Sequence, residues 1–97
     1  HFHDTRGTSL ANILAAYQEG VLVFDTSLGG LGGCPYAPGA AGNVATEDVV
    51  YMFQRMGQLK KLDLAKLVKL SREIGSLLGK KLPGKLSQAG PWPKKLD

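Results

Sequence analysis

The chain has 97 residues, which is enough for one small domain but far short of the roughly 250 residues of a closed eight-stranded α/β barrel. Hydrophobic residues make up 43% of it and charged residues 21%, and no apolar stretch approaches the ~20 residues of a membrane-spanning helix, so we expect no membrane partner. The net charge of +4 comes largely from lysines after residue 59, which lack the interleaved aromatic residues and motifs of nucleic-acid binding.

The cysteine count and the first residue bear on location and completeness. One cysteine excludes an internal disulfide and favours a reducing compartment, so we expect a cytoplasmic protein. Because the sequence does not begin with methionine, a mitochondrial location stays open, and we interpret the chain as a piece of a longer protein.

The first half of the sequence predicts a strand, a helix and a second strand. Residues 1–4 have the character of a strand end, and a helix follows with an N-cap at Thr8 or Ser9 and a stop at Gly20. Residues 21–24 form a continuous apolar run of β-branched and aromatic type, which predicts a buried parallel strand. This order favours an α/β fold with helices outside a parallel sheet.

The second half predicts a loop, two helices and a tail. Residues 29–42 are rich in glycine and predict a long irregular loop of the kind that carries function. Helices are predicted from near Thr46 to Gly57 and from near Asp63 to Gly79. We therefore divide the chain into a folded part, residues 1–79, and a basic, irregular tail, residues 80–97.

Two histidines separated by one residue are the first candidate site. On a strand, His1 and His3 project to the same face and could hold one divalent metal ion with further ligands. Alternatively, Phe2 packs in the core while the two histidines bond to polar groups. Asp4 points to the opposite face, so we expect a supporting hydrogen-bond acceptor rather than a ligand.

The loop and the helix after it hold three further candidates. Cys34 lies among glycines, where a thiol could take part in proton transfer, or it is incidental to a glycine-rich turn. The side-chain carbonyl of Asn43 is a possible metal ligand or a loop cap. Glu47 either stabilises the start of a helix or belongs to a site.

These motifs together resemble the C-terminal part of the 3-hydroxy-3-methylglutaryl-CoA lyases. The resemblance is carried by HFHDT at 1–5, LAN at 10–12, FDTS at 24–27, GLGGCPYA at 30–37 and GNVATEDVVYM at 42–52. It is close over about the first two-thirds of the chain, and the cysteine loop is its most specific element. The implied fold is the C-terminal βα units of a TIM (β/α)8 barrel, incomplete in this chain.

The resemblance also implies a reaction, a cofactor and partners. The reaction is the cleavage of 3-hydroxy-3-methylglutaryl-CoA to acetyl-CoA and acetoacetate with Mg²⁺ or Mn²⁺. His1, His3 and Asn43 would be metal ligands, and Cys34, His1 and Glu47 would be catalytic. The partners would be the acyl-CoA substrate, the missing N-terminal barrel portion and a second copy in a homodimer. The family's Arg-Asp pair of the first barrel strand is not in this sequence, so we expect the isolated chain to be inactive.

Other functions stay open at this point. Barrel enzymes that condense acetyl-CoA with 2-oxo acids share the histidine-pair strand but lack this cysteine loop. Zinc amidohydrolases also use a histidine pair, on their first strand. From a different class, the chain is a non-catalytic fragment that folds only on association or on docking to the rest of a barrel.

Overall fold

The computed structural model describes residues 1–32 and 42–92, and four α-helices form its framework. They are α1 (Ser9–Gln18), α2 (Thr46–Arg55), α3 (Leu64–Leu78) and α4 (Lys85–Ala89), and a 3₁₀ turn at Leu28–Gly30 lies between α1 and α2. Helix α2 is central, because it contacts the other three helices and the 3₁₀ turn. Among the residues described, none of the helices has the length and apolar character to span a membrane.

The first three helices begin and end close to where their sequence signals predict. In α1 the capping oxygen comes from Asp4, whose Oδ1 accepts hydrogen bonds from the Ser9 backbone N–H at 3.2 Å and from Ser9 Oγ at 2.6 Å. Thr8 occupies the N-cap position without a side-chain bond. In α3 the Asp63 carboxylate accepts from the Lys66 N–H at 3.0 Å, and Gly79 ends the helix in the left-handed conformation.

Two hydrophobic clusters lie on either side of α2. One cluster joins α1 to α2 and has four buried members: Ile13, Val44, Val49 and Phe53. The other joins α2 to α3 and α4, and its buried members are Val50, Leu64, Val68 and Leu86. A helix with apolar residues on two faces is packed from both sides, which makes α2 the core element of this part of the chain.

The predicted strands are absent from the described residues, and this part of the prediction is wrong for the chain by itself. Residues 21–26 form no strand, and Val21, Leu22 and Val23 are 43%, 78% and 86% exposed rather than buried. The described residues hold only two isolated bridges, His3 with Asn43 (antiparallel) and Ser27 with Ala45 (parallel). A strand needs a neighbouring strand to accept and donate its backbone hydrogen bonds. Among the described residues, 21–23 have only the bond from the Val21 N–H to the Ala16 carbonyl at 3.0 Å, which belongs to the end of α1.

Two loop predictions also need correction. Residues 29–42 are not irregular from the start, because Gly29 and Gly30 belong to the 3₁₀ turn and are buried. The stretch beyond residue 79 is not irregular throughout, because residues 85–89 form α4. Leu82 and Leu86 are buried at 4% and 6% exposure, so this stretch packs on the helices before it. A boundary between residues 79 and 80 stays a prediction.

Candidate metal and loop site

The two histidines meet as their spacing predicts. His1 Nε2 and His3 Nε2 are 3.0 Å apart, and the ring planes are inclined at 68°. Both residues are exposed, and the two nitrogens are hydrogen-bonded to each other. Adjacent nitrogen ligands that each lie about 2.1 Å from an octahedral ion are separated by about 3.0 Å. The separation in this chain therefore fits two neighbouring positions around one ion.

Asn43 is brought to the same place by backbone pairing. It lies opposite His3 in the antiparallel bridge, and the Val44 N–H donates to the Phe2 carbonyl at 3.2 Å. Directly opposite residues of an antiparallel pair carry their side chains on the same face. The Asn43 amide also lies against Gly32, where an added Cβ would be 3.2 Å from Nδ2. The three predicted ligands are thus neighbours.

The donor set suits a divalent ion but does not complete its shell. Two imidazole nitrogens and one amide oxygen supply at most three ligands, whereas an octahedral ion takes six. Within residues 1–32 and 42–92, no group of three or more histidine, cysteine, aspartate or glutamate side chains is placed to hold a metal. The remaining positions would be filled by water, by substrate or by groups outside the described residues.

Asp25 contacts His1, although its place at this site was not predicted from the sequence. Its Oδ1 lies 2.5 Å from His1 Nδ1, the ring nitrogen that faces away from His3. The signal was available, because Asp25 follows an apolar run predicted as the next strand after His1. The carboxyl ends of neighbouring strands meet at one edge of a parallel sheet, where polar side chains gather.

Glu47 is buried but does not touch the histidine site. Its side chain is fully buried, and Oε1 accepts a hydrogen bond from the Gly29 N–H at 2.8 Å. Oε2 has no hydrogen-bond partner among the described residues and faces Gly84, where a Cβ would lie 2.9 Å from it. Glu47 therefore ties the 3₁₀ turn to the start of α2, and a catalytic role for it stays a prediction.

Asp48, the next residue, joins α2 to α4. Its Oδ2 accepts from the Lys85 N–H at 2.9 Å, and its Oδ1 accepts from the Leu86 N–H at 2.7 Å. Burial raises the pKa of Asp48 above its usual 3.8, although the two backbone hydrogen bonds act in the opposite direction. The negative charges of Glu47 and Asp4 add to the increase.

Cys34, the predicted catalytic thiol, lies outside the described residues. The two residues that flank 33–41, Gly32 and Gly42, are in contact, since a Cβ on Gly42 would collide with the Gly32 carbonyl oxygen. Asn43 follows Gly42 directly. The stretch that contains Cys34 therefore leaves and rejoins the described structure beside a predicted metal ligand.

Comparison with known proteins identifies a family and several relatives of this chain. Residues 1–74 match the HMGL-like family. A hydroxymethylglutaryl-CoA lyase of Bacillus subtilis is 55% identical over 85 residues, which are 88% of this chain and 28% of that protein. An (R)-citramalyl-CoA lyase of Chloroflexus aurantiacus is 46% identical over 91 residues, 94% of this chain and 29% of that protein.

A solved structure agrees with both the fold and the family. The HMG-CoA lyase of Acinetobacter baumannii, in complex with coenzyme A and 3-methylmalate, is 49% identical and superposes with a TM-score of 0.89. It covers 100% of this chain, which corresponds to 32% of that protein. The chain thus spans less than a third of the length of the relatives it matches.

The family is built on the TIM barrel, and its enzymes depend on metal ions in general. The predicted resemblance to HMG-CoA lyases is confirmed, whereas a position in the C-terminal part of the barrel stays a prediction. With three quarters of its length matched and its two histidines and Asn43 side by side, the chain belongs to the HMGL-like family.

Proposed function

We propose that the protein containing this chain is a metal-dependent carbon–carbon lyase that cleaves 3-hydroxy-3-methylglutaryl-CoA to acetyl-CoA and acetoacetate. The observation that carries the proposal is the meeting of His1, His3 and Asn43 in a chain 55% identical to a lyase named for this substrate. The chain contributes βα units from the C-terminal part of the barrel. The rest of the barrel completes the site, so the 97-residue chain alone is expected to be inactive.

The histidine pair and Asn43 are the residues that would hold the ion. His1 and His3 would bind it through ring nitrogens and Asn43 through its amide oxygen, and we expect Mg²⁺ or Mn²⁺. When bound, the ion supplies positive charge that stabilises the negative charge developing on the C3 oxygen of the substrate.

One proton transfer precedes the bond cleavage and a second follows it. The C3 hydroxyl loses its proton, the C2–C3 bond breaks, and its electron pair enters the thioester as an enolate while acetoacetate leaves. Protonation of the enolate carbon then gives acetyl-CoA. A base takes the first proton beside His1, which the resemblance places next to this transfer, and we assign the Cys34 thiol to the second. Glu47 acts nearby by fixing Gly29, which begins the glycine-rich stretch that contains Cys34.

A basic cleft supports an acyl-CoA substrate. The cleft lies between α3, α4 and the segment that joins them, and has a volume of about 620 Å³. Arg72, Lys80 and Lys81 line it, and Arg72 Nε donates to the Ser87 carbonyl at 2.7 Å. Fixed positive charge in a cleft attracts anionic groups such as the phosphates of coenzyme A. Homodimerisation and a cytoplasmic location stay predictions.

One relative is named for a different thioester, which is therefore a second candidate substrate. The Chloroflexus aurantiacus protein at 46% identity is named for (R)-citramalyl-CoA, another branched hydroxyacyl-CoA. Cleavage of the corresponding bond in that thioester gives acetyl-CoA and pyruvate. The same proton transfers serve both reactions, so the carboxylate-bearing part of the substrate decides between them.

The deciding experiment offers the complete protein each thioester with Mg²⁺ or Mn²⁺ and measures acetoacetate and pyruvate. We expect acetoacetate from the first thioester, and at least a hundredfold loss of rate in Cys34→Ser. Ala65→Ser, at an exposed position on α3, serves as the control and should retain full activity. Pyruvate alone would move the assignment to citramalyl-CoA, and neither product would overturn the lyase proposal.

A further inference from the structure

We infer that Asp25 is a positioning residue for His1: its carboxylate fixes the proton of His1 on Nδ1 and so presents an unprotonated Nε2 to the metal ion. This inference rests on the proposed function, because it concerns the ion that His1 and His3 would share. It adds a residue that neither the histidine spacing nor the cysteine loop indicates.

The geometry assigns opposite roles to the two ring nitrogens of His1. Nδ1 lies 2.5 Å from Asp25 Oδ1, and Nε2 lies 3.0 Å from His3 Nε2. An ionised carboxylate only accepts hydrogen bonds, so Nδ1 must carry the proton. In a neutral imidazole the other nitrogen then bears the lone pair, which is the form that binds a metal. Asp25 thereby selects the tautomer that the site requires.

Packing behind the site holds Asp25 in place. The ring of Phe24, the residue before it, has its centroid 6.3 Å from that of Phe2 and 6.0 Å from that of Phe53, and both pairs of rings are tilted. Phe2 is the residue between the two histidines, so this aromatic contact places Asp25 beside His1. On the other side, Thr26 Oγ1 is 2.7 Å from Thr46 Oγ1. Asp25 is therefore fixed from both neighbours although its side chain is 67% exposed.

Because the His1–Asp25 pair is exposed, its effect on metal binding can be measured separately from its effect on stability. A hydrogen-bonded pair this open to water contributes little to the free energy of unfolding, so its loss should leave the fold intact. Removal of a carboxylate that orients a metal-binding histidine typically weakens metal binding by about 10–100-fold. A change in metal affinity without a change in unfolding midpoint is the signature of a positioning residue.

The test uses the complete protein with ¹⁵N-labelled histidine, and the variants Asp25→Ala and Asp25→Asn. Nitrogen chemical shifts of His1, assigned from their loss in His1→Gln, report which ring nitrogen carries the proton. Titration with Mn²⁺, followed through the EPR signal of the free ion, reports metal affinity. Glu73→Gln, which removes an exposed acid on α3, is the matched control.

We expect His1 protonated at Nδ1 in the parent, mixed tautomers in both Asp25 variants, and Mn²⁺ affinity about 10–100-fold weaker in Asp25→Ala. Glu73→Gln should match the parent. Unchanged tautomer and affinity in the Asp25 variants would overturn the inference while leaving the lyase proposal intact. If the parent bound no Mn²⁺, the inference would fail together with the metal site. Weakened binding in a protein without lyase activity would leave the inference standing and remove the proposed reaction.

Discussion

Two regions of the molecule differ in which kind of side chain they expose to water. At the start of α2, the acidic side chains Glu47 and Asp48 are buried, and each accepts hydrogen bonds from backbone N–H groups of distant residues. In residues 21–23, apolar side chains lie in solvent. Helices and turns satisfy their backbone groups within the chain, whereas a strand depends on a neighbouring strand. Glu47 Oε1 and both Asp48 carboxylate oxygens have hydrogen-bond partners within the described residues, whereas no strand lies beside residues 21–23 there.

The largest expected effect comes from filling the space under the 3₁₀ turn. A Cβ on Gly29 would collide with the Leu82 side chain and lie 2.8 Å from Ser71 Oγ, at a φ of +69°. We expect Gly29→Ala to lower the free energy of unfolding by about 2–4 kcal/mol, measured by urea denaturation.

Gly7→Ala is the matched control for that substitution. Gly7 has a φ of +72°, yet a Cβ there meets no atom within 4 Å. It therefore carries the backbone strain without the collision, and we expect a loss of about 1 kcal/mol. Equal losses at the two glycines would show that the region around α2 is not closely packed, and the comparison would fail.

Removal of the carboxylate between α2 and α4 should have an intermediate effect. Asp48→Ala leaves the Lys85 and Leu86 N–H groups without their acceptor, which we expect to cost about 1–3 kcal/mol of unfolding free energy. Asp63→Ala, which removes an exposed cap with one such bond, is the control and should cost about 1 kcal/mol. A smaller loss at Asp48 than at Asp63 would contradict the tie between α2 and α4.

The raised pKa of Asp48 predicts the direction in which the stability of the chain changes with pH. Because its folded pKa lies above 3.8, the folded chain binds more protons than the unfolded chain between the two values. Its contribution to stability therefore rises as the pH falls through the folded pKa and levels off below 3.8. The stability difference between the parent and Asp48→Asn, followed from pH 7 to pH 3, should grow in the parent's favour.

The smallest effect is expected in residues 21–23, beside which the described part of the chain places no strand. Val23 is 86% exposed, so Val23→Lys should change the unfolding free energy of the 97-residue chain by no more than about 0.5 kcal/mol. In the complete protein, where we expect a buried strand, the same substitution should abolish soluble expression. Gln58→Lys, at an exposed position after α2, should be tolerated in both. Tolerance of Val23→Lys in the complete protein would contradict the strand.

Local signals predicted what local interactions decide. The bounds of α1 and α3 follow from Gly20, Asp63 and Gly79, which act on their own helix ends, and the approach of His1 to His3 follows from a two-residue spacing. Contacts between distant residues were not predictable in the same way.

The missed features all depend on partners far along the chain. The Leu86 N–H at the start of α4 donates to Asp48, which lies 38 residues earlier in the chain. Local sequence signals do not show this contact, so residues 85–89 were predicted to be irregular. Asp25 reaches His1 across 24 residues. Residues 21–24 carry a true strand pattern, but a pattern states only a preference, and exposure depends on which neighbours are present.

The contact between Gly32 and Gly42 has a consequence for how such enzymes diversify. A segment whose two ends touch can change in length or sequence without moving the residues that anchor it. Gly32 and Gly42 are the described residues on either side of 33–41, and Asn43 is held to His3 by its own backbone pairing. Residues 33–41 can therefore be replaced during evolution toward a new substrate while the spacing of the predicted metal ligands stays the same.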